Sequence, residues 1–233
     1  MSEILYLIPA RKGSKGIPGK NLRTIAGKPL AMHSIDVARK FVGDDDICLS
    51  TDDEALIGAV TQWNYEVPFI RPQHLATDTT SMHEVLINAL DFYAGRGKHY
   101  QTLVLLQPTS PFRTSDDVAQ ALKLFHNDLD MVASVKLAEA NPYYVLFEED
   151  SNGYLQKSKQ GNFVTRQECP KVWQLNGAVY IINTASLRLK GLGKFDKILK
   201  SEMTTLASLD LDTELDWKLA MLINEEYHLL PHK

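Results

Sequence analysis

Cysteine is almost missing from this 233-residue chain: only Cys48 and Cys169 occur, without a CxxC pair or any His/Cys ligand spacing. A disulfide framework and a cysteine-ligated zinc site are thereby excluded, and both residues read as reduced thiols in a cytoplasmic setting. Long apolar runs are missing too. The N-terminal one, Ile4 to Pro9, is too short for a membrane span or a signal-peptide core and runs straight into Arg11 and Lys12, so no membrane partner is expected. Excess positive charge is absent: a formal net charge of −4 offers no footing for a nucleic-acid polymer, and any phosphate binding has to be local. Two familiar phosphate fingerprints also fail to appear, GxxxxGK followed by Ser or Thr, and GxGxxG followed by an acidic residue. There is no internal repeat, and His33, His74, His83, His99 and His126 are scattered without ligand spacing, as packing or surface histidines are.

What is present is an ordinary globular composition, 44% hydrophobic and 23% charged, in a chain long enough for one main α/β domain with an appendage. Short apolar runs alternate with amphipathic segments, the pattern of a Rossmann-like, mostly parallel sheet flanked by helices. Strands are predicted at Ile4 to Ile8, Asp46 to Ser50, Val67 to Ile70, Thr102 to Gln107 and Met131 to Val135. Helices are predicted at Pro29 to Val42, Glu54 to Trp63, Ser81 to Tyr93 and Thr114 to Phe125. The alternation breaks at 138–174, where Tyr143 to Phe147 and the turn Ser151-Asn152-Gly153 read as hairpin pieces. Regular character returns at Gly177 to Ile182. An extended segment, Leu206 to Leu211, then leads into a helix from Thr213 to about Tyr227. The division is therefore 1–137 with 175–233 as the α/β domain and 138–174 as an irregular insertion.

In an open α/β sheet, ligands collect at the carboxyl ends of strands. The loop after the first strand places Gly13, Gly16 and Gly19 three residues apart and adds Arg11, Lys12, Lys15 and Lys20. Glycines let the backbone turn its N–H groups toward an anion while the cations supply charge, which suits a polyphosphate better than a flexible basic surface loop. Near the end of the chain, Asp210 and Asp212 lie two apart in an extended stretch, so their side chains point the same way. Two hard carboxylates beside phosphate oxygens suit Mg²⁺, but the same stretch also reads as a helix start, with Asp212 or Thr213 as cap and Asp216 completing a box. Spacing alone leaves both open. A third constellation, Leu105 to Arg113, is a strand running into a loop stiffened by Pro108 and Pro111, which would hold Gln107 rigidly.

The segments Ile8 to Asn21, Leu106 to Arg113, Asn176 to Ile181 and Asp210 to Asp216 together resemble the CMP-sialic acid synthetases, or acylneuraminate cytidylyltransferases, over nearly the whole chain. The resemblance implies transfer of CMP from CTP to the anomeric hydroxyl of a nine-carbon, sialic-acid-like sugar acid, with release of pyrophosphate and use of magnesium. It implies that Arg11 and Lys20 hold the triphosphate, aided by Gly13 and Ser14 of the same loop, and that Asn21 lies against the nucleotide. Arg71 and Ser81 match the segment that reads cytosine and ribose. Gln107, Asn176 and Tyr180 fall on the sugar side, and Asp210 and Asp212 match the magnesium pair, Asp210 serving catalysis with Arg11 and Lys20. The insertion resembles a dimerisation arm that reaches across a homodimer and lends Arg166 to the neighbour's sugar site.

Departures from the family pattern touch the sugar side: Gln174 stands where many relatives have Arg, Tyr144 where some have Lys, and Lys194-Phe195 near a place for paired aromatics. N-acetylneuraminic acid is the favoured acceptor on family frequency, legionaminic acid the main alternative, and an eight-carbon sugar acid a more distant one. A catalytically inactive CTP-binding module is the competing reading from another class.

Overall fold

The computed structural model describes residues 3–13 and 15–230. Its main body is a six-stranded sheet built from β1 (Ile4–Pro9), β4 (Ile47–Ser50), β5 (Thr102–Leu106), β6 (Met131–Leu137), β9 (Trp173–Asn183) and β10 (Ile198–Glu202). Two small hairpins, β2–β3 (Thr24–Ile25 and Lys28–Pro29) and β7–β8 (Phe147–Glu149 and Leu155–Lys157), lie outside that sheet. Helices α1 (Leu30–Ala38), α2 (Glu54–Thr61), α3 (Met82–Ala94), α4 (Ser115–Leu124), α5 (Thr184–Lys190) and α6 (Glu214–Tyr227) complete the chain. The strand order is β10-β6-β9-β5-β1-β4, with β9 antiparallel to both of its neighbours and every other pairing parallel. The expected α/β, mostly parallel architecture is what forms.

Strands β4 and β5 are buried at every position, which is why they read as continuous apolar runs rather than alternating ones. The two faces of the sheet carry separate cores. Tyr6, Ile8, Val104 and Leu106 pack with Ala31, Ile35, Leu56, Val118 and Ala121 of α1, α2 and α4. Leu5, Leu7, Leu103 and Leu105 pack with Leu86, Ala89, Leu90 and Leu187 of α3 and α5. Alternate residues of one strand thus serve opposite layers. A third, smaller core joins Ile17 of the glycine-rich loop to Leu30, Phe112, Leu211 and Trp217.

Several sequence expectations are corrected. Val67 to Ile70 makes only a single bridge, Thr51 to Ile70, because Pro68 has no N–H to give a ladder. Leu206 to Leu211 is not extended throughout, since 205–208 form a turn closed by the Ser208 N–H donating to the Thr204 carbonyl. Tyr143 to Val145 is turn, and the hairpin begins only at Phe147. β10, α5 and the β2–β3 hairpin were not anticipated. That hairpin is made by Ala26 and Gly27, both at positive φ, a turn conformation that suits right-twisted strands. Both cysteines are free thiols; Cys48 is wholly buried and desolvation pushes its pKa up to about 12. No helix among the described residues is long and apolar enough to cross a membrane.

Asn176, expected on the sugar side, has a different task. It is 6% exposed and sits where the β6–β9 register slips, so that residues 176–179 face the single residue Ser134. Its Oδ1 accepts from the Ser134 hydroxyl and from the Ala178 N–H at 3.1 Å, and its Nδ2 donates to Ser208 Oγ at 2.8 Å. The amide is spent on holding the bulge. Asn176→Ala would leave the buried Ser134 and Ser208 hydroxyls short of partners, and it is expected to lower the unfolding free energy by about 2–4 kcal/mol. Urea denaturation checks this, and a change under ~0.5 kcal/mol would contradict it.

Candidate active site

The glycine-rich loop leaves β1 at Pro9 and is held at both ends. The Ala10 N–H donates to the Ser50 carbonyl at 2.9 Å, and the Lys12 N–H donates to Asp52 Oδ1 at 2.8 Å. Gly13 and Gly19 adopt φ of +80° and +63°, values that side-chain-bearing residues rarely take. Gly16 is fixed for another reason: a Cβ there would collide with the Asp212 carbonyl oxygen. Ile17 is completely buried. The loop is therefore anchored onto the acidic segment, which removes the flexible-surface-loop reading. Ser14 lies outside the described residues.

A cavity of about 240 Å³ opens beside this loop. Arg11, Lys15, Lys20, Asn21, Arg71 and Gln107 all line it, so five residues that sequence reasoning placed at the nucleotide or sugar, together with Lys15 of the glycine-rich loop, converge on one space. The Asn21 amide donates to the Arg11 carbonyl at 3.3 Å, setting the loop's curvature. Arg71 is 4% exposed and donates through Nε and Nη2 to the Ser50 hydroxyl and carbonyl, at 3.0 and 2.6 Å. Burial lowers its pKa, with Asp52 acting in the opposite direction. Gln107 leans on the bulge of β9, where a Cβ on Gly177 would lie 3.3 Å from its Nε2.

The facing wall brings a residue that the sequence reading did not single out. Asp78, the one carboxylate of segment 71–80, bridges Arg11 at 2.6 Å and Lys15 at 2.7 Å. Those two hydrogen bonds, that of Lys15 foremost, hold its carboxyl below the usual carboxylate range. Being the sole acid of that polar loop was the available signal. Asp78 does here what an anionic ligand does: it takes up the cations of the loop.

At the other end of the loop, Lys20 is 8% exposed and its Nζ donates to the Leu211 carbonyl and, at 3.2 Å, to Asp212. Asp212 itself is mostly open to solvent, and Asp210 is exposed. The walls around Asp210 nevertheless reduce its hydration and raise its pKa; the Thr109 hydroxyl pulls it down, Asp212 pushes it up and Lys20 pulls it down again. Capping of α6 falls to Thr213, whose hydroxyl accepts from the Asp216 N–H at 3.2 Å while Asp216 returns a bond to the Thr213 N–H at 2.7 Å. The helix start thus uses Thr213 and Asp216, leaving the carboxylates of Asp210 and Asp212 out of the cap. Among the described residues no three His, Cys, Asp or Glu side chains gather as a metal site, so a cation here would take these two carboxylates and complete its shell from elsewhere.

Three further expected residues do not line this cavity. Ser81 caps α3, its hydroxyl and N–H both engaged with Glu84, and its neighbours Thr80 and Met82 line the cavity instead. Tyr180 is half-buried, its pKa raised by desolvation, with the Gly177 N–H opposing and Asp210 adding to the rise; it thus belongs beside the acidic pair. Arg166 lies in the insertion and donates to the Glu139 carbonyl at 2.6 Å. A larger groove of about 820 Å³, between Asp44, Tyr65, Phe92 and Arg96, lies at the opposite end of β4 and includes neither the glycine-rich loop nor the acidic pair.

Residues 5–191 match the family model described as cytidylyltransferase. The chain is 34% identical over 230 residues to the CMP-N,N'-diacetyllegionaminic acid synthase of Legionella pneumophila, covering 96% of this chain and 98% of that one. It is 31% identical to the N-acylneuraminate cytidylyltransferase of Escherichia coli over 97% of its own length and 53% of that protein. The structure of CMP:2-keto-3-deoxy-manno-octonic acid synthetase complexed with CTP superposes with a TM-score of 0.69 at 21% identity, covering 97% of this chain and all of that one, which is a likeness of fold. With a motif-bearing loop seated on the acidic segment and a buried arginine lining the same cavity, these matches show that the chain belongs to the cytidylyltransferase family of CMP-sialic acid synthetase type.

Proposed function

We propose that the protein transfers CMP from CTP to the anomeric hydroxyl of a nine-carbon sugar acid of the nonulosonic class and releases pyrophosphate. The observation that carries this reading is the convergence of Arg11, Lys15 and Lys20 on one cavity that Arg71, Asn21 and Gln107 also line. Attack on the α-phosphorus with departure of pyrophosphate is a reaction governed by positioning and charge neutralisation. Arg11 and Lys15 exchange the Asp78 carboxylate for phosphate oxygens. Lys20 has three donors, two already given to Leu211 and Asp212, and the third serves the triphosphate. Arg71, buried and rigid, presents the nucleotide side of the cavity.

The donor chemistry at Asp210 and Asp212 fits magnesium: two hard carboxylates accessible to solvent beside Thr109 of the cavity wall, with phosphate oxygens and water left to complete the shell. When bound there, Mg²⁺ supplies charge neutralisation at the α-phosphate. Desolvation raises the pKa of Asp210, and we assign its carboxylate a contact with the attacking hydroxyl.

For the acceptor we place N,N'-diacetyllegionaminic acid ahead of N-acetylneuraminic acid, reversing the family-frequency expectation. Full-length similarity to the legionaminic-type synthase supports this, as does Gln174 in place of a cation. A site with fewer charged donors suits acylamino surface over hydroxyls. The insertion supports a homodimer: Tyr154, Leu155 and Val164 are 68%, 67% and 82% exposed, apolar surface that a second copy would cover.

Three measurements follow. Arg11→Ala is expected to lower turnover roughly 10²–10³-fold, as for loss of one preorganised charge-stabilising donor, and a loss of only a few-fold in a pyrophosphate-release assay would refute the loop's role. At fixed CTP and magnesium, kcat/KM for the diacetyllegionaminic acid should exceed that for N-acetylneuraminic acid about tenfold or more; a ratio near one or reversed overturns the acceptor order while leaving cytidylyl transfer intact. Sedimentation should show a dimer, and a fully active monomer would contradict the shared arm.

A further inference from the structure

Arg113 is 3% exposed, and no carboxylate among the described residues pairs with it. Its Nη1 donates to the Gln107 carbonyl at 3.0 Å and to the Ala178 carbonyl at 2.9 Å, and its Nη2 donates to the Ser34 hydroxyl at 2.6 Å. Its Nε has no hydrogen-bond partner among the described residues. Desolvation brings its pKa down to about 10, against a partial opposing effect of Asp117. A buried cation held only by neutral acceptors is costly, and packing alone would be served as well by an apolar side chain of similar volume. The charge is there for what it ties together.

What it ties together is specific. Gln107 ends the run of β5 into the cleft, and Ala178 belongs to the bulge of β9; the two carbonyls come from strands that pair directly, Leu106 with Val179. The Gln107 amide lies against Gly177, one residue from Ala178, where φ is +73° and a Cβ would be 3.3 Å from Nε2. The spacing between these two backbones decides how the Gln107 amide enters the cavity, and Arg113 clamps both from behind. Ser34, on α1, braces the guanidinium from the helix that follows the glycine-rich loop.

We propose that Arg113 is a positioning residue for the acceptor: by holding the Gln107 and Ala178 carbonyls in one fork it fixes the Gln107 amide toward the sugar acid. This rests on the cytidylyl-transfer reading above. It assigns Arg113 no contact with CTP, so acceptor and nucleotide should respond differently to its loss. Arg113→Lys keeps the charge and abolishes the fork.

The test is steady-state kinetics of Arg113→Lys with the full chain, CTP, magnesium and N,N'-diacetyllegionaminic acid, with CTP binding measured separately by calorimetry. The acceptor KM should rise about tenfold or more, as for loss of one to two buried hydrogen bonds, while the CTP Kd stays within about twofold. An acceptor KM within about twofold of wild type, or a CTP Kd that rises in parallel with it, overturns the proposal, because a merely structural arginine would move both or neither. Should Arg113→Lys fail to fold, Ser34→Ala removes one brace and keeps the guanidinium; a rise of about two- to fivefold in acceptor KM alone is then expected, and an unchanged KM overturns the proposal. Wild-type protein that releases no pyrophosphate with either sugar acid overturns cytidylyl transfer itself, an outcome separate from those above.

Discussion

Everything at the site depends on the seating of the glycine-rich loop against the segment before α6. Gly16 must be a glycine because the Asp212 carbonyl occupies the place of its side chain, and Ile17 is sunk between Leu30, Leu211 and Trp217. Lys20 then crosses from the loop to the Leu211 carbonyl and the Asp212 carboxylate. One contact surface thus sets the distance between the loop's cations and the carboxylates of Asp210 and Asp212, although the two lie almost 200 residues apart in the chain. Rigid backbone, rather than long flexible side chains, fixes the geometry of the reaction, which is where preorganised electrostatics draws its advantage.

The charges around the cleft fall into two kinds. Arg71 and Arg113 are buried and held by carbonyls and hydroxyls, so their positive field is not cancelled locally. Arg11 and Lys15 are accessible and share Asp78. The first kind is fixed in place; the second makes ion pairs of the exposed sort, individually worth little, which under the proposed function it would give up to an anion.

Much of the fold was legible because its signals are local. The strands β1, β4 and β5 are apolar runs, and the caps of α3, α4 and α6 are boxes visible as Ser81 with Glu84, Thr114 with Asp117 and Thr213 with Asp216. β10 was missed because Ile198 to Glu202 is an edge strand exposed at four of its five positions, and edge strands lose the apolar signature. At the site, spacing could not separate metal binding from capping along Asp210 to Asp216; the structure shows the cap, made by Thr213 and Asp216. The bulge held by Asn176 could not be read from the motif, because its partners Ser134 and Ser208 are 42 and 32 residues away. Asp78 and the fork made by Arg113 were invisible for the opposite reason: their partners are 63 to 67 residues away in the case of Asp78, and 65 and 79 away for Ala178 and Ser34.

The central antiparallel strand also orders events in time. β4, β1 and β5 form a parallel block from residues made early, but β6 pairs only with β9 and β10, both of which follow it in the chain. Met131 to Val135, apolar and destined for complete burial, therefore leaves the ribosome with no strand available to either edge, and the whole insertion 138–172 must be synthesised before β9 begins. A nascent chain in that interval exposes an adhesive, unpaired strand of the kind that invites pairing between molecules. When β9 is finally made, it pairs with β5 and β6 at once and joins β6 to the first parallel block, with β10 added afterwards, so translation speed through the arm governs how long that vulnerable state lasts.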